Sequence, residues 1–596
     1  MDLDGRPGKG IATGRRRGRP AGRGHRATIS CDLRTDRRRA LGRQARRPPL
    51  SHRSRISDDR KSRFPPDGHP LPRRRLHGGR RPFGPADPAA DRVHGDPRPH
   101  PFGRLTTWEE DGMTARLRAT GTTAKEQETV RAPGAVPLAG HTLRLLRDPL
   151  GFLLAQHGGA ESVELRLGPR PVYLLTRTET VRRVLVTDQR HYDKGGPIIE
   201  GARPLFGDGL GTCPRSEHRR QRSLLQPAFH SARIACYSPV MQACAEEVAG
   251  SWQDGQTLDM GREMHRIAAR VIGRTLASDP GASRLVRDLE ESLPTLMSHG
   301  FLRVVVPWSL PHELPLPANR RYRRARSTVR ASIHDAIAAY RRSDAPRTDL
   351  LGHLVTVRDE HGAGLDDREI HDQIMVMLIA GIETTATALG WTFHLLGQSP
   401  DVERQVTTEL DTELCGRSPT VEDLPRLPYL TRVFTEALRL YPTVPMLSRV
   451  ATTEVALGGR TLPAGTEFFF SPYCLHRDPD VFPEPERFDP DRWLPERAGP
   501  EQRRGFIPWG AGARKCIGDT FSLIEASLAL ATILRDWRLR PAGTGRVTPT
   551  VRFSLHPSGL RMMAERRATR PVRGAGNCAT GHNGPAVAHA AQDAPQ

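Results

Sequence analysis

Between Ala132 and Arg567 the hydrophobic and polar positions follow two rhythms. After a Pro/Gly entry, "APGAVPLAG", the stretch "HTLRLLRDPLGFLLAQHG" spaces its leucines along one face and predicts an amphipathic helix. "SVELRLGPRPVYLLT" alternates in two short runs about Gly168-Pro169, the pattern of a β-hairpin. From about residue 176 to 440 the pattern is mostly helical, with loops at Pro and Gly. Between 449 and 473, "RVATTEVALGGRTLPAGTEFFFSPY" predicts short strands joined by Gly-Gly and Pro-Ala-Gly turns. A long helix follows Cys516, then short strands and a polar tail. No repeat is present. The pattern predicts a mainly α protein with small β-sheets, one domain over residues 132–568.

The texture before that domain is different. Residues 1–112 are rich in Arg, Pro and Gly ("GRRRGRPAGRGHR", "LPRRRLHGGRRPFGP"), and their apolar residues keep neither period, so they cannot bury enough surface to fold. Most of the formal net charge of +23 sits there, 28 Lys+Arg against 13 Asp+Glu. A disordered arm for nucleic acid or anionic lipid is one reading of that charge. The composition points elsewhere: arginine abounds while Lys9 and Lys61 are the only lysines, as in GC-rich DNA translated in an arbitrary frame. "WEEDG" before Met113, if its Glu codons are GAG, is encoded by a purine run resembling a bacterial ribosome-binding site. The expectation is an artefactual upstream extension over 1–112, a true start at Met113, a flexible leader over 113–131 and a disordered tail over 569–596. Nucleic acid is not an expected partner.

Cysteine usage narrows the chemistry. The eight cysteines are scattered with no CxxC pair, which argues against a zinc site or a disulfide framework. No run of about 18 apolar residues predicts a membrane span, and the N-terminus lacks the apolar core of a secretory signal, so a cytoplasmic protein is expected. One cysteine stands apart. "FIPWGAGARKCIGDTF" has the spacing Trp509-Gly510-x-Gly512-x-Arg514-x-Cys516-x-Gly518. Its glycines let the backbone take positive φ and approach a flat object closely. Nearby N–H groups and the following helix terminus favour a thiolate, and Arg514 sets a cation beside the sulfur or beside an acidic group of a ligand. A buried structural cysteine needs none of this spacing, whereas a thiolate ligand to haem iron does.

This loop resembles the haem-binding signature of the cytochrome P450 family, with Trp509 where phenylalanine is commoner, and three further stretches carry the resemblance in the expected order. "EALR" puts Glu436 and Arg439 at i and i+3 on one helical face; the resemblance joins Arg487 of "FPEPERFDPDRW" to them in a buried structural triad. "LIAGIETTATALGW" is similar to the family's oxygen-side helix, where Glu383 and Thr384 match the acid–alcohol pair that relays protons, and Ala380 and Gly381 leave room for dioxygen and substrate. "CPRSEHRRQRSLLQPAFH" puts His218 and Arg222 at i and i+4, matching a pair that bonds a haem propionate; Arg449 and His476 are further propionate candidates. The resemblance spans Ala132 to about Arg567. It implies the cytochrome P450 fold and haem b as cofactor, with Cys516 as the axial iron ligand and Gly510, Gly512, Arg514 and Gly518 around it.

The implied reaction is monooxygenation of an apolar small molecule with O2. The chain has no flavin or iron–sulfur motif, so electrons would come from a separate ferredoxin and ferredoxin reductase. Arg514, Lys515 and the arginines near His218 would offer such an acidic donor a basic face. "VPLAGH", "LPLPANRRYRRA", "EIHDQIMVMLIAGIETTA" and "FFFSPYCLHRDPD" are similar to stretches of bacterial members that oxidise sesquiterpenes in secondary metabolism. A terpenoid is the expected substrate, with fatty acid, polyketide and steroid left open. Phe301, Met377, Ile379, Gly381, Val444 and Leu447 are the pocket candidates. "LDDREIHD" has Ile370 where the last aspartate of a magnesium-binding cluster would fall, so terpene cyclisation is not expected. A peroxygenase would not need the Glu383–Thr384 pair and a non-catalytic haem-thiolate sensor could discard it, so its presence favours the monooxygenase.

Overall fold

The computed structural model describes residues 129–277, 282–305, 314–342, 348–543 and 545–568. The expected extension, residues 113–128 of the leader and the tail from 569 lie outside the described residues. The leader expectation runs three residues too far. Thr129–Arg131 is a strand (β1) paired in parallel with Ser162–Glu164, and the Thr129 and Ser162 hydroxyls meet at 2.9 Å, a polar contact that an apolar rhythm does not register.

The alternating stretch becomes the hairpin of β2 (Ser162–Leu167) and β3 (Arg170–Leu175), turning at Gly168 with φ +63°. With β4 (Tyr192–Asp193), β6 (Leu447–Ala451) and β9 (Glu467–Phe470) these strands form a six-stranded sheet in the order β1-β2-β3-β9-β6-β4. Phe468, Phe469 and Phe470 are all buried, the signature of a strand covered on both faces. β5 (Gln256–Asp259) joins β10 (Trp537–Pro541) and β13 (Arg561–Arg566) in a second sheet. β7 (Val455–Leu457) with β8 (Arg460–Leu462) and β11 (Thr548–Val551) with β12 (Leu555–Ser558) are two-stranded. The expected helix after the Pro/Gly entry is two short ones, Thr142–Arg147 and Pro149–Leu154. Pro149 cannot donate to the first, and Asp148 caps the second by accepting from Gly151 N–H at 3.0 Å.

Helices make the body: α1 (Arg215–Leu225), α2 (Ser231–Ala249), α3 (Met260–Leu276), α4 (Ala282–Val305), α5 (Pro317–Arg341), α6 (Asp367–Gln398), α7 (Pro428–Leu440) and α8 (Asp519–Asp536). α6 opens on a capping box in which Asp366 and Glu369 satisfy each other's backbone N–H. The acidic "LDDREIHD" is thus engaged in starting a helix, with Glu369 also pairing Arg220 at 2.6 Å. α6 is long and apolar enough to cross a membrane by length and composition, yet 72% of its most apolar stretch is buried inside the fold. A search for an unbroken apolar run misses it because Gly381, Glu383 and the threonines interrupt. Its apolar residues face every side, as in a central core helix, and pack in one cluster with those of α3, α7 and α8.

Candidate active site

The cysteine loop is a tight turn set by two glycines. Gly510 (φ +73°) and Gly512 (φ +68°) lie in the left-handed region, and a Cβ on Gly512 would stand 1.9 Å from the Leu185 carbonyl oxygen. Gly510 N–H donates to Ile507 O, Lys515 N–H to Gly512 O and Cys516 N–H to Trp509 O, at 2.9 to 3.0 Å. Gly518 differs from its neighbours: its φ is −97°, it caps α8, and its N–H bears on the Cys516 sulfur. Cys516 is accessible to solvent although protein atoms crowd around it. Burial pushes the thiol above its ordinary value and outweighs the Gly518 N–H, Lys194 and Arg222, all of which favour the thiolate. The loop and helix terminus alone therefore do not hold the thiolate expected from the sequence. Coordination to a metal, which deprotonates a thiol outright, would complete it.

Five cationic or cation-forming side chains gather beside this sulfur. α1 carries His218, which is buried, and Arg222, whose Nη1–H donates to Lys515 O at 2.7 Å. Arg514 Nη2 pairs with Asp193 Oδ1 at 2.6 Å. Arg449, 5% exposed on β6, donates to Ser448 O at 2.7 Å and lies 5.8 Å from the Phe470 ring centre. Lys194 Nζ donates to Gly211 O at 2.9 Å. Burial, then Arg514, Arg222 and Lys194, hold His218 down to about 3. Burial, then Arg449 and Arg514, bring Lys194 to about 7, and burial, then Arg514, brings Arg449 to about 10. Among the described residues neither the buried Arg449 nor the half-buried Lys194 has a carboxylate partner within ion-pair distance, an arrangement that is costly for cations withdrawn from water. A ligand bearing two carboxylates would relieve both, so this donor set fits a haem. The sequence reading found four of the five and missed Lys194. Its signal was compositional: within residues 129–568 the only lysines are Lys194 and Lys515, both at this site. His476 is not part of the cluster. Its Nδ1 faces Arg439 O at 3.2 Å and its Nε2 accepts from Ile507 N–H at 3.0 Å, so both nitrogens are engaged by backbone.

Along α6 the accessible positions recur at helical spacing: Met377, Ala380, Gly381 and Thr384 are half-buried or exposed, whereas Ile379, Ile382, Glu383 and Thr385 are buried. Thr384 Oγ1–H donates to Ala380 O at 2.5 Å. Two pocket candidates are corrected here. Ile379 belongs to the main core, and a Cβ on Gly381 would meet Ile272 Cδ1 at 2.6 Å, so that glycine lets α3 and α6 approach rather than making room for dioxygen. Val444 and Leu447 are half-buried. Phe301 lies in α4 by its backbone, and its side chain lies outside the described residues. Glu383 turns away from the accessible face. His265 Nε2 meets its Oε2 at 2.9 Å, and His556 Nε2 and the Ser554 hydroxyl, the latter at 2.8 Å, meet its Oε1. Burial would raise this carboxyl; the hydrogen bonds from both histidines outweigh it and hold the group far below the usual range. Nothing in the sequence marked His265 or His556 as its partners.

The structural triad forms with a different third member. Arg439 Nε and Nη2 clamp both oxygens of the fully buried Glu436 at 2.9 Å. The third side chain is Arg492, whose Nε approaches Glu436 Oε1 at 3.3 Å. Arg487 is 63% exposed and pairs with Glu484; only its backbone carbonyl reaches Arg439, at 3.1 Å. The 3-10 turn Pro490–Trp493 aims Arg492 inward, and Trp493 Nε1–H adds a 2.8 Å bond to Glu436.

Comparison with known proteins places this geometry. Residues 133–563 match the family model described as Cytochrome P450. The chain is 46% identical over 438 residues to cyclooctatin synthase of Streptomyces melanosporofaciens, covering 73% of this chain and 95% of that one. It is 44% identical to cyclooctat-9-en-7-ol 5-monooxygenase of the same organism, covering 72% and 94%, and 41% identical to pentalenene oxygenase of Streptomyces avermitilis, covering 72% and 96%. Its fold is similar to the crystal structure of the cytochrome P450DA heme domain, with a TM-score of 0.67 at 26% identity, covering 75% of this chain and 99% of that one.

Proposed function

Because the chain belongs to the cytochrome P450 family, we propose that it oxidises an apolar terpenoid, with Cys516 as the residue whose sulfur would hold the haem iron. It is a haem-thiolate monooxygenase that takes O2 and electrons from redox partners. The observation that carries the site reading is the buried Arg449 and the half-buried Lys194, two cations without a carboxylate partner among the described residues, beside an accessible thiol. In this reading Lys194, His218, Arg222, Arg449 and Arg514 hold the cofactor's carboxylates, and Gly510 and Gly512 keep the loop backbone close to it. A bound haem would supply the redox chemistry of monooxygenation. Met377, Val444 and Leu447 line the substrate side and exclude water. Thr384 Oγ1–H donates to Ala380 O, which leaves its oxygen lone pairs to accept a hydrogen bond on the accessible face, and Glu383 is the adjoining carboxylate, turned toward His265 and Ser554.

The terpenoid assignment is supported by the relatives named for cyclooctatin, cyclooctat-9-en-7-ol and pentalenene, which span nearly their whole length in the match. We assign the electron donor to a soluble ferredoxin with its reductase, supported by the exposed Arg219 on α1, and the protein to the cytoplasm, supported by the burial of the apolar α6 inside the fold. Arg220 does not contribute to that face, because Asp359 and Glu369 engage it. The test begins with protein expressed from Met113. Its dithionite-reduced, carbon monoxide-bound spectrum should show the Soret band that names the family. Titration with pentalenene and with cyclooctat-9-en-7-ol should then shift the ferric spin state. A shift with a fatty acid and with neither terpenoid would overturn the substrate class.

A further inference from the structure

We propose that His265 and His556 connect solvent to Glu383 as a proton relay, a positioning device that rests on the monooxygenase reading above and deepens it. Glu383 sits on the oxygen-side helix, and its side chain is only 4% exposed, whereas His265 is 29% and His556 18% exposed. The two imidazoles therefore stand between a buried carboxyl and water. Their rings stack at 5.8 Å with an 18° tilt, so the pair forms one unit spanning α3 and β12.

The hydrogen-bond pattern fixes what the unit can do. His265 Nδ1 lies 2.7 Å from the Gly261 carbonyl, which only accepts, so Nδ1 carries a hydrogen. Nε2 then has two states: protonated against a Glu383 carboxylate, or bare against a Glu383 carboxylic acid, 2.9 Å away. They differ by one proton moved along that line. In the transfer the Nε2–H bond breaks and an Oε2–H bond forms, no electrons change hands, and a proton from hydronium or buffer acid restores the partly exposed imidazolium, leaving water or the buffer base. Burial lowers His265, but the Glu383 carboxylate, the Gly261 carbonyl and Asp259 outweigh it and raise its affinity for the proton. The groups facing the carboxyl are few. α3 supplies His265 with Asp259 at its cap, and the β12 strand and the turn before it supply His556 and Ser554. α6 itself supplies Thr387, whose hydroxyl meets that of Ser554 at 2.9 Å.

Buried carboxylates in this chain are met in two ways, by arginine and, at Asp372 and Glu383, by histidine. The buried carboxylates of Glu403, Asp423 and Glu436 are all met by arginine, which never releases its proton. Glu383 is met by the one side chain that exchanges protons near neutrality.

The test uses the haem-loaded protein with a surrogate ferredoxin and its reductase, without added substrate, so that the outcome does not depend on substrate class. NADPH-driven oxygen consumption is followed from about pH 6 to about pH 9, in water and in deuterium oxide. The unmutated protein should lose rate on the alkaline side as His265 deprotonates. The H265Q/H556Q variant keeps amide donors but cannot carry the proton. It should run about tenfold slower or more, lose the alkaline limb and show a larger solvent isotope effect. Its peroxide-driven oxidation of a dye, which needs no proton delivered by this route, should stay at the parent rate. A double variant with the parent's rate and pH profile would overturn the relay. So would a flat profile in the unmutated protein, which decides the matter even if the variant does not fold. The carbon monoxide band separates the two readings: its absence from the unmutated protein overturns the Cys516 site and the relay with it, while its presence with a flat profile overturns the relay alone.

Discussion

Arg492→Ala and Arg487→Ala should differ sharply in stability, although both arginines lie in one twelve-residue stretch, "FPEPERFDPDRW". The Arg492 guanidinium is buried and makes three bonds: to the Glu436 carboxylate at 3.3 Å, to Pro483 O at 2.6 Å and to Glu484 O at 3.2 Å. Truncation leaves two carbonyls short of a donor and removes one of two arginines from a fully buried carboxylate. Arg439 remains on Glu436, so the cost stays below that of an orphaned buried charge. We estimate about 3 kcal/mol, roughly 150-fold in the unfolding constant. Arg487 and its partner Glu484 are 63% and 69% exposed, and its useful atom is a backbone carbonyl that alanine keeps. Its loss should cost about 0.5 kcal/mol or less. Urea unfolding of the haem-loaded protein, followed by far-ultraviolet circular dichroism and by loss of the carbon monoxide band, measures both. Equal destabilisation, or a larger loss for Arg487→Ala, would refute the assignment of Arg492 as the third member.

The two loop glycines make a second contrast: Gly512→Ala should abolish the carbon monoxide band, because its Cβ would sit 1.9 Å from Leu185 O at φ +68°. Gly518→Ala, whose Cβ would meet Phe229 Cε1 at 3.8 Å, should retain the band. Lys194 lies at about 7 without a carboxylate partner, and a bound carboxylate raises it, so haem binding takes up a proton above that pH. Haem transfer to apomyoglobin should therefore grow easier above pH 7, by up to about tenfold in affinity per pH unit, and this dependence should vanish in Lys194→Met. Burial holds the Glu525 carboxyl well above its ordinary 4.5, so its contribution to stability is full at acid pH and falls away as pH rises past the unfolded value. Glu525→Gln should remove a decline of about 1.4 kcal/mol per pH unit between about pH 5 and the folded-state value; parallel stability profiles for the two proteins would refute this.

Features settled within a few residues were legible. The hairpin turn at Gly168, the Gly-Gly turn between Val455–Leu457 and Arg460–Leu462, and the positive φ of Gly510 and Gly512 follow from local sterics. The break at Pro149 is equally local in cause, yet the apolar spacing on either side of it reads as one helix, and the two halves separate only when the missing N–H is considered. β1 was lost because its pairing rests on backbone bonds and a hydroxyl contact to a strand 33 residues away, which no period within three residues can announce.

The site failed to be legible wherever a charged group chooses among chemically equal partners. "PERF" and "PDRW" both offer Pro-acid-Arg-aromatic, and only the inward aim of the turn at Pro490–Trp493 selects Arg492 for Glu436. Glu383 was recognised by its place on α6, but its partners are 118 and 173 positions away, and a helical rhythm cannot say which neighbouring element it will face. The same limit applies to Ile379 and Gly381: spacing put them on the right helix, but Ile379 is buried in the core, and a Cβ on Gly381 would meet Ile272. Lys194 is the exception. In a domain that uses arginine for nearly every cation, a lysine at a half-buried position is a choice for a compact ammonium that can give up its proton when no anion is present. Arg449, fully protonated beside it, could not lower its own burial cost in that way. A lysine paired with an arginine thus suits a pocket in which one cation must stay charged and the other becomes charged when the carboxylates arrive.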